Sequence, residues 1–193
     1  MIAFADLRLL LKITRSQDIA RRYFVVNGFD GALTMLGLNV GFYVGDGDDL
    51  SIMLSACIGA AVALGMSGLS SAYISETAER KRWLADLESA MVTDLQDSAH
   101  NTAAKIVPLL VALVNGLAPL LISLFIITPF WLAQAGVGLP LAPVESAILL
   151  AFVAIFGLGV FLGQVSGGLW LWGGLKAILI AAATTIIIFL VES

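Results

Sequence analysis

Residues 50–74 read LSIMLSACIGAAVALGMSGLSSAYI, a run without one Lys, Arg, Asp or Glu, and residues 75–83 read SETAERKRW, with five charged side chains in nine. As a helix the first run rises about 37 Å, more than the roughly 30 Å hydrocarbon core of a bilayer. The segment therefore reads as a transmembrane helix that leaves the membrane near Ser75 and continues into water. Working outward, the same length and apolarity place further spans at about 23–44, 106–132, 144–165 and 169–191. The connections are the acidic turn Asp46-Gly47-Asp48-Asp49, the loop Gly136–Pro143 and the tight turn Ser166-Gly167-Gly168. Residues 76–104 read as a charged, cytosolic helical extension of the second span. Residues 1–21 mix Ile2, Phe4, Leu7 and Leu10 with Asp6, Arg8 and Lys12, the pattern of an amphipathic helix lying on the membrane. The predicted fold is all-α, a polytopic membrane protein whose residues 22–193 form one domain with five transmembrane helices.

Composition supports that reading and excludes others. Of 193 residues 60% are hydrophobic and 12% charged, against roughly 25% charged in soluble domains. The mean hydropathy is +0.99. A water-soluble globule is excluded, and five spans leave no length for a sizeable extramembrane domain. The cations cluster: Arg8, Lys12, Arg15, Arg21 and Arg22 precede the first span, Arg80, Lys81, Arg82 and Lys105 fall between the second and third, and Lys176 stands alone. By the positive-inside rule the N-terminus and the Arg80–Arg82 segment are cytoplasmic and the C-terminus is outside, in the plasma membrane if the chain is prokaryotic. The clustering is an orientation signal and does not suggest nucleic-acid binding. Cys57 is the only cysteine, so no disulfide framework exists. His100 is the only histidine, which excludes a multi-histidine metal site in one chain. It also leaves an intramembrane Ser–His hydrolase without a base at the right depth, so an enzyme is not expected. No secretory signal peptide is read, because a cleavage pattern of small residues is missing.

Ionisable side chains inside a bilayer are functional candidates, since their desolvation is costly. Asp30 is the acid well inside a span, eight residues past Arg22 and so roughly 12 Å deep. Met66, counted from Glu76, lies roughly 15 Å deep and Asn115, counted from Ile106, roughly 13 Å. A carboxylate, a thioether and an amide oxygen in one layer would suit a borderline ion such as Fe²⁺ better than Mg²⁺ or Ca²⁺. Asn27, one turn before Asp30, can add a ligand, and Pro119 frees the carbonyl of Asn115 from its usual in-helix donor. Glu76 and Glu79, one turn apart at the inner mouth of the second span, would concentrate cations. Plainer readings stand beside these: Met66 as packing filler, Asn115 as an interhelical hydrogen bond, and Asp30 paired with Lys176. Asp94, Asp97 and His100 recur every three residues, either a solvated helix face or further ligands. Gly37 and Gly41 have the spacing that lets transmembrane helices approach closely.

Four segments resemble the vacuolar iron transporter family. Val26-Asn27-Gly28-Phe29-Asp30-Gly31-Ala32-Leu33-Thr34 resembles its first-helix motif. Gly65-Met66-Ser67-Gly68 through Ala72-Tyr73-Ile74-Ser75-Glu76 is similar to its second helix. Asn115-Gly116-Leu117-Ala118-Pro119-Leu120 resembles its third, and Gly173-Gly174-Leu175-Lys176-Ala177-Ile178-Leu179-Ile180 the basic glycine-leucine motif of its last. The resemblance implies a homodimer with a metal path along the dimer interface, and the Gly37/Gly41 spacing predicts that the first transmembrane helix forms it. It implies Fe²⁺ or Mn²⁺ as transported substrate, leaving the cytosol in exchange for protons, with no resident cofactor. It implies Asp30 and Met66 as membrane ligands, and Glu76 and Glu79 as the start of a cytosolic capture region. The chain departs from the family in that region: only about thirty residues separate the second and third spans, so it would be a short member without the full cytosolic metal-binding domain. The expected metal set is Asp30, Met66, Glu76, Glu79, Asn115 and Asn27, and the expected partners are a divalent metal ion, the lipid bilayer and a second copy of the chain. The alternatives are transport of another small substrate, or a non-transporting membrane subunit held by an Asp30–Lys176 pair.

Overall fold

The computed structural model describes residues 16–45, 47, 49–96, 98–165 and 167–192. All the regular structure among them is helical: α1 (Ser16–Val44), α2 (Leu50–Met91), α3 (Ala99–Ile126), α4 (Thr128–Gln134), α5 (Pro143–Val165) and α6 (Trp170–Glu192). Four of these, α2, α3, α5 and α6, are long and apolar enough to cross a membrane, as in an integral membrane protein. α1 has 29 residues, ample length for a crossing, but Asn27, Asp30 and Asn39 dilute its apolar character.

Each boundary has a local cause. Asp49 caps α2, its carboxylate accepting from the Ser51 and Ile52 amides at 2.9 and 3.3 Å. α2 then runs for 42 residues, about 63 Å and twice the thickness of the hydrocarbon core, so its charged half projects beyond the apolar half. It ends at Val92, whose φ of 51° places it in the left-handed region. Glu88 holds the reversal by accepting from the Leu95 amide at 3.1 Å. Ser98 starts α3 by accepting from the Asn101 amide at 3.3 Å.

Three sequence expectations are corrected here. The extension expected to be helical over 76–104 is broken between Met91 and Ala99, because these side chains bond the backbone in place of the helix ladder. Asp94 sits in that break, accepting from the Gln96 amide at 2.9 Å, and so does not share a helix face with His100; Asp97 lies outside the described residues. The span expected at 106–132 is two helices, α3 and α4. Pro129 lies in the first turn of α4, and a proline has no N–H to carry the ladder on to the Phe125 carbonyl, which accepts from the Thr128 hydroxyl instead. Finally, residues 16–21, expected to close a separate interfacial helix, are the first turns of α1; residues 1–15 lie outside the described residues.

α1 is central. It packs against α3, α5 and α6, while α2 packs chiefly on α3 and α5 pairs with α6. Ala32, Met35, Leu36 and Val40 of α1 meet Leu54, Cys57 and Ala61 of α2, Ile126 and Phe130 at the end of α3 and in α4, and Ala151 and Ile155 of α5 in one buried cluster. Two glycines set the spacing near the candidate site. A Cβ on Gly31 would stand 2.7 Å from the Pro119 carbonyl oxygen, and one on Gly116 would stand 2.6 Å from that of Gly65. α1 and α2 thus both press backbone to backbone on α3 at the level of Asn115.

Candidate functional site

Asn115 stands where three helices meet. It is 5% exposed. Its Nδ2 donates to the Gly68 carbonyl of α2 at 2.5 Å, and its Oδ1 accepts a short hydrogen bond from Nδ2 of Asn27 on α1. Asn27 also donates to the Tyr23 carbonyl at 2.9 Å. The backbone carbonyl of Asn115, which Pro119 deprives of its usual donor, faces Gly68, where a Cβ would lie 2.8 Å from it. Of the candidate residues, Asn27 and Asn115 are in direct contact. Both polar ends of the Asn115 side chain are occupied by helix-to-helix bonds.

Asp30 and Met66 lie differently. Asp30 is exposed on α1, and no ion pair joins it to Lys176, which is itself exposed on α6. With Val26, Gly37 and Gly41 it falls at intervals of four and seven residues, which is one stripe of the helix; Val26 is 53% exposed and the two glycines are partly covered. Met66 is 59% exposed and lines a pocket of about 110 Å³ between α2 and α3, walled by Val62, Gly65, Leu69, Gly116 and Leu117. Asp30 is not among its walls.

The pair at the end of the apolar half of α2 divides. Glu79 is exposed. Glu76 is buried at 4% exposure, with Arg80 Nε 3.6 Å from its Oε2. That oxygen receives no hydrogen bond. Both carboxylates act electrostatically on the Tyr23 hydroxyl at the start of α1, as does Arg22, whose guanidinium stands 5.7 Å from the Tyr23 ring centre. Glu76 therefore looks inward, toward α1, and Glu79 outward. His100 stacks at a tilt on Trp83, ring centres 5.5 Å apart, and tethers the start of α3 to the projecting half of α2.

Two polar groups escaped the sequence reading. Asn39 is wholly buried in α1; its Nδ2 donates to the Met35 carbonyl at 2.6 Å and its Oδ1 has no partner. Tyr23 accepts from Asn27 through its backbone carbonyl and its hydroxyl feels the charge of both glutamates. Asn39 was open to notice as a second amide in the first span, three turns beyond Asn27. Among the described residues no three His, Cys, Asp or Glu side chains converge. One chain thus offers carboxylates singly, on separate faces: Asp30 on α1, and Glu76 at the junction of α2 with the start of α1.

An uncharacterized protein of Methanocaldococcus jannaschii is 27% identical to this chain over 182 residues, covering 93% of this chain and 92% of its own length. No family model matches the chain, and no solved structure matches it.

Proposed function

We propose that the chain is a divalent transition-metal exporter of the vacuolar iron transporter type, moving Fe²⁺ or Mn²⁺ out of the cytosol in exchange for protons. In this reading α1 is the fifth span, the N-terminus is cytoplasmic, the C-terminus is outside, and the membrane is the plasma membrane if the chain is prokaryotic. The observation that carries the reading is Asp30, a carboxylate midway along a membrane-length helix, exposed on the chain's surface and without an ion pair. In lipid such a group demands an ion, a proton or a second chain. A homodimer packed through the Val26–Asp30–Gly37–Gly41 stripe would bring two Asp30 carboxylates to one axis, where each supplies what a single chain lacks. The buried Oε2 of Glu76, free of hydrogen bonds, supports an ion entering from the α2 mouth, with Glu79 recruiting from water. Met66 would tilt selectivity toward softer ions from its pocket on α2. Asn27 and Asn115 act in this reading as the brace that fixes α1 against α3.

The test is Fe²⁺ or Mn²⁺ flux into proteoliposomes. Asp30→Asn keeps shape and volume but removes the charge that replaces a cation's water and the proton exchange that drives coupling. Flux should be abolished while the thermal midpoint stays close to wild type. Asp30→Asn with Lys176→Met should stay inactive. Wild-type flux from folded Asp30→Asn would remove the carboxylate from the mechanism, and rescue by Lys176→Met would establish the structural-subunit reading instead.

A further inference from the structure

On the projecting half of α2, beside the start of α3, lies a pocket of about 310 Å³ lined by Tyr73, Thr77, Lys81, Leu84, Asn101 and Lys105. Its composition is unlike that of the metal candidates: two ammonium groups, three neutral polar side chains and no carboxylate. Neither lysine is ion-paired among the described residues, and both are exposed. Tyr73, Thr77 and Lys81 follow at intervals of four on α2, and Asn101 and Lys105 at an interval of four on α3, so each set lines one face. Thr77 adds an independent sign. Ser70, Ser71, Ser75, Thr102, Thr184 and Thr185 each donate their hydroxyl to a carbonyl three or four residues back. The Thr77 hydroxyl makes no such bond, although its oxygen is shielded. A shielded hydroxyl without a partner is unfavourable, and a ligand that accepts its hydrogen bond relieves that.

The position selects the ligand. Tyr73 closes the uncharged run of α2, and Lys105 directly precedes the apolar run of α3. The pocket therefore stands at the boundary between hydrocarbon and water, where tyrosine is at home and where basic pockets between helices take anionic headgroups. Its volume is about ten times the roughly 30 Å³ of one liquid water, which accommodates a phosphate group and part of a headgroup. We propose that this pocket binds a phosphate group, carried by an anionic lipid or free in solution, with Lys81 and Lys105 supplying charge and Thr77 a hydrogen bond.

The test uses the detergent-purified full chain. Lipid retained in native mass spectrometry and the thermal midpoint are followed on adding phosphatidylglycerol, phosphatidylcholine or inorganic phosphate. Phosphatidylglycerol should be retained and raise the midpoint, and phosphatidylcholine should do neither. Lys81→Gln with Lys105→Gln should weaken phosphatidylglycerol binding about 30-fold, and Thr77→Val roughly tenfold. If inorganic phosphate raises the midpoint as phosphatidylglycerol does, and the double variant abolishes both effects, the proposal stands with free phosphate as the source. Equal responses of wild type and double variant, or binding of neither phosphate probe by wild type, would overturn it. If the double variant does not fold, Thr77→Val decides, and undiminished retention there overturns the proposal. Neither readout depends on metal flux, so a failure here is separate from a failure of the transport reading.

Discussion

Asn115 and Asp30 divide the polar work of the membrane layer in opposite ways. Asn115 is buried and fully engaged, donating to Gly68 and accepting from Asn27. Asp30 is exposed and, among the described residues, has no ion pair. Removing them should have correspondingly different effects. Asn115→Ala removes two helix-to-helix hydrogen bonds from a buried junction while the Gly68 carbonyl keeps the Ser71 hydroxyl and the Asn27 amide keeps the Tyr23 carbonyl, and each bond lost is typically worth about 0.5–1.5 kcal/mol. The variant should therefore show a lower thermal midpoint in detergent, with any loss of flux following loss of folded protein. A variant as stable as wild type but without flux would instead make Asn115 a ligand. Gly116→Ala tests the same junction from its backbone. The new Cβ would lie 2.6 Å from the Gly65 oxygen and 2.8 Å from Leu69 Cβ, and backbone cannot yield as a flexible side chain does. Overpacking of this kind is destabilising by about 1–3 kcal/mol, and circular dichroism melting should register it. An unchanged midpoint would mean that α2 and α3 have slack the structure does not display.

At the scale of the element, what could be read from the chain followed physics that sequence carries directly. Long apolar runs place the start of α2 and both ends of α5 and α6 to within a residue or two, because in lipid a spanning segment must satisfy its backbone within itself. The break between α2 and α3 was illegible for a definite reason. Residues 76–105 contain neither Gly nor Pro, and the reversal rests on Glu88, Asp94 and Ser98 bonding to nearby amides, a competition that composition does not report. The end of α3 at Ile126 was more accessible, since Pro129 announces it. For the candidate site, facing was not legible. Counting 1.5 Å per residue puts Asp30, Met66 and Asn115 in one layer, and the contact the structure shows among the candidates is between Asn115 and Asn27. Yet a helix apolar on nearly every side has no moment from which to tell its inner face, so the exposure of Asp30 and Met66 emerged only with the fold. The α2 cap makes a further check at this scale. Asp49→Ala removes the acceptor for two amides, and such caps are worth about 1 kcal/mol. The thermal midpoint should fall slightly while flux per folded molecule stays unchanged. A large loss of flux would give the outer turn a role that its distance from Asp30 along α1 does not suggest.

At the scale of the whole molecule, the threading of the helices through the bilayer decides what must cover α1. With α1 as a span the crossings number five, so the termini must lie on opposite sides, and reporter fusions should place the N-terminus inside and the C-terminus outside. Both reporters on one side would leave only the four helices of clear apolar length as crossings. If α1 does cross, its exposed stripe needs a partner, because a carboxylate facing lipid is among the least stable placements a side chain can have. In the proposed dimer a second copy of the chain would meet that need with self-complementary geometry, as a twofold interface requires. Gly37 and Gly41 would let the two copies of α1 approach closely, and two Asp30 side chains would then face one another across the axis with a cation or a shared proton between them. Single cysteines at Val26, Asp30, Gly37 or Gly41, in a Cys57→Ala background, should cross-link in native membranes. Cysteines at Ala32, Met35 and Leu36, which are fully buried within the chain, should not. The Asp30 cysteine should cross-link without supporting flux, whereas the Val26 cysteine, before cross-linking, should support it. Cross-linking that ignores this periodicity, or its absence along all of α1, would leave Asp30 with no partner from a second chain and would end the interfacial-site model.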